Sequence, residues 1–144
     1  MRSIALDIET TGLSPLEGHR VIEIGCVELV NNFPTGTVWQ KYINPKRSIP
    51  SQAFKVHGLS EEFLSDKPLF SEIAQDLIDF IKDSNLIIHN AKFDLNFINY
   101  ELEAINFQPI SDINNKIVDT IDLAKKIFPG QSVSLDALCK RYKI

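Results

Sequence analysis

The sequence predicts an α/β fold, a mixed β-sheet with helices packed on it. Three observations carry that expectation. Three segments of strand character follow one another near the N-terminus across short, turn-rich connections. Beyond Pro50 the apolar residues switch to helical spacing. Within that helical half lies a wholly apolar run, LIIH at 86–89, with the composition of a buried strand.

Taken in order, residues 3–9 alternate Ile4, Leu6 and Ile8 with Ala5, Asp7 and Glu9, the period of two of a strand. VIEIGCVELV (21–30) is the second strand, and TVWQKYIN (37–44) the third, with Trp39 and Tyr42 as strand-type side chains. Pro34, Gly36 and Pro45 punctuate them, and the short connections predict an antiparallel meander. SQAFKVHGLSEEFL reads as two short helical turns broken at Gly58, with Ser60 as a cap and Glu61 and Glu62 in the turn it opens. Residues 70–82 form an amphipathic helix through Phe70, Ile73, Leu77, Phe80 and Ile81. After the 86–89 strand, Asn90 caps a helix over 91–105 whose apolar stripe is Ala91, Leu95, Ile98, Leu102 and Ile105. KIVDTIDLAKKIF (116–128) runs from a short strand into a helix that Pro129-Gly130 ends, and Ser134 opens a last helix, SLDALCKRY. No repeat, low-complexity tract or linker interrupts the chain, so residues 1–144 are expected to form a single domain.

The composition, 44% hydrophobic and 24% charged, is that of an ordinary globular protein. Cys26 and Cys139 lie far apart and match no zinc or disulfide pattern, which predicts reduced thiols and a cytoplasmic setting. The second residue already leads into the first strand, so no leader is expected, and no apolar run approaches a membrane span. A formal net charge of −4 excludes a protein that holds a polyanion through a broad basic face. A nucleic-acid partner would have to be held locally, with metal ions supplying the missing positive charge.

Asp7 and Glu9 raise the functional question. In a strand both point to one face, with Cα atoms roughly 6.5–7 Å apart, and unpaired they would repel. Asp94 stands in the first turn of the 91–105 helix. Taken alone it reads as an acid that favours the helix dipole. The strand before it, however, makes a strand-to-helix junction of the kind where α/β sites gather. If the 86–89 strand lies beside the first, Asp94 converges on Asp7 and Glu9. Three carboxylates together call for cations, and oxygen-only ligands suit Mg²⁺ or Mn²⁺ better than zinc. A pair of such ions about 4 Å apart is the recurrent device for displacement at phosphorus.

The segments DIETTG, VIEIGCVEL, FKVHGLSEEFL, HNAKFDLNF and VDTIDLAKKIFPG…SLDALCKRY, taken together and in this order, resemble the DEDD-type 3′–5′ exonucleases. The resemblance covers essentially the whole chain. It implies a ribonuclease H-like fold, a five-stranded mixed sheet flanked by helices. It implies that Asp7, Glu9 and Asp94 are catalytic metal ligands for two divalent ions, Mg²⁺ or Mn²⁺, with Asp7 bridging both. The implied substrate is the 3′ end of single-stranded DNA, and the implied setting is proofreading alongside replicative DNA polymerase subunits.

The same resemblance makes Thr10 and Thr11 donors to the terminal nucleotide, although as bare residues they read as a strand-ending turn. It makes His57, with Gln52 nearby, a contact to the 3′ end; a member of the family carries an acid where Gln52 stands. Asn90 and Phe93 would flank the site, Asn90 otherwise being a helix cap and Phe93 otherwise core or a base-stacking ring. His89 and Glu23 read as structural strand residues, and Asp119, Asp122 and Asp136 as surface or cap residues. One departure stands out: the family places a histidine base and, five residues on, a fourth aspartate just past the SLDALCKRY helix, and none of His19, His57 and His89 stands there. The C-terminal motif is thus expected to be lacking, and a chain extended through it is expected to be at least ~10²-fold faster. Two alternatives remain open on the residues: an RNA-trimming exonuclease of the same superfamily, and a non-catalytic polymerase-docking module.

Overall fold

The computed structural model describes residues 1–113 and 116–144. Strands β1 (Arg2–Thr10), β2 (Val21–Val30) and β3 (Phe33–Tyr42) come first, followed by α1 (Ser51–His57), α2 (Glu61–Leu64) and α3 (Phe70–Ile81). Strand β4 (Asn85–Ile88), α4 (Ala91–Ala104), β5 (Lys116–Asp119), α5 (Thr120–Ile127) and α6 (Leu135–Tyr142) complete the chain. The sheet runs β3-β2-β1-β4-β5, its first three strands antiparallel and its last two parallel to β1. Ile4, Leu6 and Ile8 of β1 belong to the core with Phe70, Ile73, Leu77 and Ile81 of α3 and Phe97, Ile98 and Leu102 of α4. No helix among the described residues is long and apolar enough to cross a membrane.

The expected element order holds, and three local expectations are corrected. The β2–β3 turn is Asn31-Asn32, both at positive φ (50° and 70°), with Val30 paired to Phe33. That is the backbone of a two-residue hairpin loop, whose twist matches the strands it joins. Strand β3 therefore occupies 33–42 and not 37–44. Pro34 and Gly36 lie within it, which an edge strand tolerates.

Asn90 does not cap α4 with its side chain. It sits at the N-cap position in left-handed conformation (φ 66°) with no side-chain cap bond. The capping acceptor comes from across the sheet: Asp119 takes the Asn90 and Ala91 amides at 3.1 and 3.0 Å, and the Ile121 amide of α5 at 2.9 Å. One carboxylate thus serves the starts of two helices.

The buried face of α4 also differs from the expected stripe. Leu95 and Ile105 are half-buried, whereas Asp94, Phe97 and Glu101 are buried with Ala91, Ile98 and Leu102. Two acids on an inward face disguise the helical apolar pattern.

Candidate active site

Strand β1 pairs with β4 only over Ser3–Ala5, so residues 6–10 run past the parallel neighbour and leave that edge free for the start of α4. Asp94, in the first turn of α4, is 3% exposed. Its Oδ2 is buried with no hydrogen-bond partner. Burial and, next, the Asp7 charge push its pKa up to about 8, with the Glu9 charge adding to the rise. Asp7 itself is raised by burial, against the lowering influence of the Ile8 amide and His89. Glu9 is raised by burial and then by the charges of Asp7 and Glu23. The three sequence-predicted acids are therefore brought into one electrostatic neighbourhood. Glu23, paired directly across from Glu9, is a fourth member that reads from the sequence as purely structural.

The acids face two hollows. Glu9 lines a cavity of about 580 Å³ together with Thr10, Thr11, Gly12, Gln52, His57 and Phe93. Asp7 lines instead a groove of about 500 Å³, beside Val38, Gln40, Ile87 and His89. Asn90 lines neither. His57 receives the Leu59 amide on Nδ1 at 3.0 Å, and burial holds its pKa down, so the neutral ring carries its proton on Nε2. That Nε2 is buried without a hydrogen-bond partner, and the Thr10 backbone acts on the ring against the effect of burial. Phe93 tilts against Phe97, with ring centroids 5.1 Å apart, and keeps a half-buried face toward the cavity.

The two threonines spend their hydroxyls inside the protein. Thr10 Oγ1 donates to the Gly12 carbonyl at 2.6 Å. Thr11, fully buried, accepts the Arg20 amide and meets His19 Nδ1, both at 2.9 Å. Neither hydroxyl is left for a ligand, and the Thr11 amide is taken by the Arg20 carbonyl at 2.9 Å. His19 is a cavity residue that sequence reasoning missed; its ring packs so tightly on Gly12 that a Cβ there would come within 2.4 Å. Gly12→Ala is expected to displace that ring and the adjoining backbone. A shift of about 1 Å beside a reacting centre can cost about 10²-fold in rate, and steady-state kinetics with the stability monitored in parallel would check it.

His89 lies closer to the acids than a purely structural strand residue would. It stands just past β4, with Nδ1 2.8 Å from Thr120 Oγ1 and Nε2 buried and unpartnered, close enough to Asp7 to influence its ionisation. It belongs to the site's surroundings and is not merely a strand residue.

Among the described residues no three His, Cys, Asp or Glu side chains close on one point as a ready-made metal cage. The donors nonetheless suit a hard divalent cation: all are carboxylate oxygens, one is orphaned, and all three acids resist ionising without a counter-charge. Mg²⁺ in particular keeps waters and binds through one or two carboxylates plus substrate phosphate, so an open set of acids fits it.

The sequence profile of the exonuclease family matches residues 4–144. The chain belongs to that exonuclease family. DNA polymerase III subunit epsilon of Rickettsia typhi is 52% identical over 145 residues, covering all of this chain and 63% of the relative. The subunit of the same name from Escherichia coli is 45% identical over 148 residues, covering 99% of this chain and 61% of the relative. The chain thus spans under two thirds of the length of these curated relatives. Among solved structures, exonuclease X in complex with 5′ overhanging duplex DNA matches with a TM-score of 0.76 at 24% identity, over 99% of this chain and 74% of that one. Product-bound exonuclease I matches with a TM-score of 0.85 at 15% identity, over 96% and 37%. These two likenesses bear on fold alone. As an exonuclease-family member the chain has the ribonuclease H-like, five-stranded mixed sheet that its resemblance implied.

Proposed function

We propose that this chain is a single exonuclease domain that removes nucleotides from the 3′ ends of single-stranded DNA, proofreading beside replicative DNA polymerase subunits. The observation that carries the proposal is the meeting of Asp7, Glu9 and Asp94 at the free end of β1, next to a cavity large enough for a nucleotide. Family membership and the epsilon-subunit relatives support it. Asp7, Glu9 and Asp94 would hold two divalent ions, Mg²⁺ or Mn²⁺. When bound, such ions supply a nucleophile at neutral pH and offset charge on the phosphate.

The chain's own residues then divide the remaining work. Glu9, Thr10 and Gly12 border the cavity and would orient the terminal nucleotide. His57 would donate from Nε2 to a sugar or phosphate oxygen, with Gln52 at the rim. Phe93 would offer its face to a base, a contact indifferent to sequence. Specificity for an unpaired end follows, because a frayed terminus reaches the cavity without the cost of unstacking.

The test is hydrolysis of matched DNA and RNA oligonucleotides with Mg²⁺ or Mn²⁺. Metal-dependent shortening of DNA is expected, and a strong preference for RNA would contradict the proofreading role. A second expected result concerns stability: Mn²⁺ should raise the melting temperature by mass action, and Asp7→Ala should abolish that rise. Oligonucleotide binding should depend only weakly on salt, since an acidic domain making few phosphate contacts releases few counterions.

A further inference from the structure

Among the described residues two carboxylates are buried, Asp94 and Glu101, each 3% exposed. Both belong to α4, seven residues and two turns apart on one face. Asp94 has an orphaned oxygen. Glu101 is fully engaged. Arg20 grips it through Nε at 3.0 and 2.9 Å and through Nη2 at 2.7 Å, and the Val21 amide reaches its Oε2 at 3.1 Å.

The far side of this grip is the site itself. Val21 pairs with Thr10 at the point where the β1–β2 register slips, between Glu9 and Thr10. Such bulges bend a strand and re-aim its side chains. Arg20 in turn is tied to Thr11 by two bonds, its carbonyl accepting the Thr11 amide and its amide donating to Thr11 Oγ1, both 2.9 Å. Thr11 holds His19 against Gly12. One carboxylate on α4 therefore anchors the helix that carries Asp94 to the turn that follows Glu9.

We propose that the Arg20–Glu101 pair is the positioning element that sets Asp94 against Asp7 and Glu9. The proposal rests on the functional reading above, because it assigns the pair a role in arranging that metal site. The apolar contacts of Phe97, Ile98 and Leu102 hold α4 on the sheet but are non-directional and leave its rotation and sliding weakly specified. The forked guanidinium–carboxylate contact is directional. As a source of stability alone it is a poor choice, since an ion pair that desolvates a carboxylate and leaves its guanidinium part-exposed gives little over well-packed apolar residues.

The experiment titrates Mn²⁺ against the chain, following free Mn²⁺ by electron paramagnetic resonance, with melting temperatures measured on the same samples. Wild type is compared with Asp7→Asn, Glu101→Gln, Arg20→Gln and Arg20→Lys. Arg2→Gln, which breaks the surface Arg2–Glu28 pair elsewhere, is the control. Glu101→Gln and Arg20→Gln are expected to weaken Mn²⁺ binding about tenfold or more, the usual effect of losing an outer support of a metal site. Arg20→Lys keeps a cation for Glu101 but loses the fork, so its affinity should fall between those of Arg20→Gln and wild type, and Arg2→Gln should bind as wild type does. Full Mn²⁺ affinity in a folded Glu101→Gln or Arg20→Gln, even with a lowered melting temperature, overturns the positioning role while leaving the metal site standing. Should Glu101→Gln not fold, Arg20→Gln against Arg20→Lys decides alone. Wild type that binds Mn²⁺ no better than Asp7→Asn overturns the underlying functional reading, and this proposal with it.

Discussion

Asp94→Asn is expected to slow metal-dependent DNA hydrolysis by about 10³-fold while raising the melting temperature of the metal-free chain. The two effects share one cause. Asp94 is buried, its Oδ2 has no partner, and its pKa stands at about 8 because burial and the neighbouring Asp7 charge oppose ionisation. With its counter-charge bound, that carboxylate supports transition-state charge worth several kcal/mol, and about 4 kcal/mol corresponds to about 10³-fold. Without it, the same group is an unsatisfied buried polar atom. The amide keeps the shape and removes the charge that burial and Asp7 oppose, a relief that grows as pH rises from about 4 to 8 and converts at about 2–4 °C per kcal/mol for a chain of this size. A purely structural aspartate would lose stability on substitution. Kinetics and calorimetry on the same preparation, with and without Mn²⁺, separate the two cases.

Metal affinity is expected to fall about tenfold for each pH unit below 8, and the stability of the metal-free fold to change in the opposite sense. Below a folded pKa of about 8 a proton must leave Asp94 before a cation takes its place, which gives a slope of one proton per binding event. For folding, the sign follows from proton counts. The unfolded chain releases this proton near the ordinary value of 3.8, and the folded chain only near 8. Between those values the folded state binds more protons, so the Asp94 contribution to stability declines as pH rises from about 4 to 8. Saturating Mg²⁺ should flatten that decline, and Asp94→Asn should remove it. Melting curves across pH 4–9, with metal and with chelator, check both.

How much of this is legible in the chain depends on range. Period-two alternation at Ile4, Leu6 and Ile8 and the caps at Ser60 and Ser134 are local signals, and the structure bears out each of them. The D-x-E pair and Asp94 are legible because a like-charged pair on one strand face is costly enough to need a reason. The β2–β3 turn escapes because Pro34 and Gly36 are louder turn signals than Asn31-Asn32, yet an edge strand absorbs them. Capping of α4 escapes because the acceptor, Asp119, arrives from another strand. Thr11, His19, Arg20 and Glu101 form a network only once β2 and α4 are adjacent. The one sequence hint is an acid two turns after Asp94 on what proves to be its buried face.

The most direct test of the central claim is the direction and metal dependence of cleavage. Single-stranded DNA labelled at its 5′ end, incubated with the chain and Mn²⁺, should yield a ladder shortened one nucleotide at a time from the 3′ end. Deoxynucleoside monophosphates should be released, and both signals should vanish with chelator or with Asp7→Asn. Shortening from the 5′ end, or a ladder that survives Asp7→Asn at the wild-type rate, would contradict it.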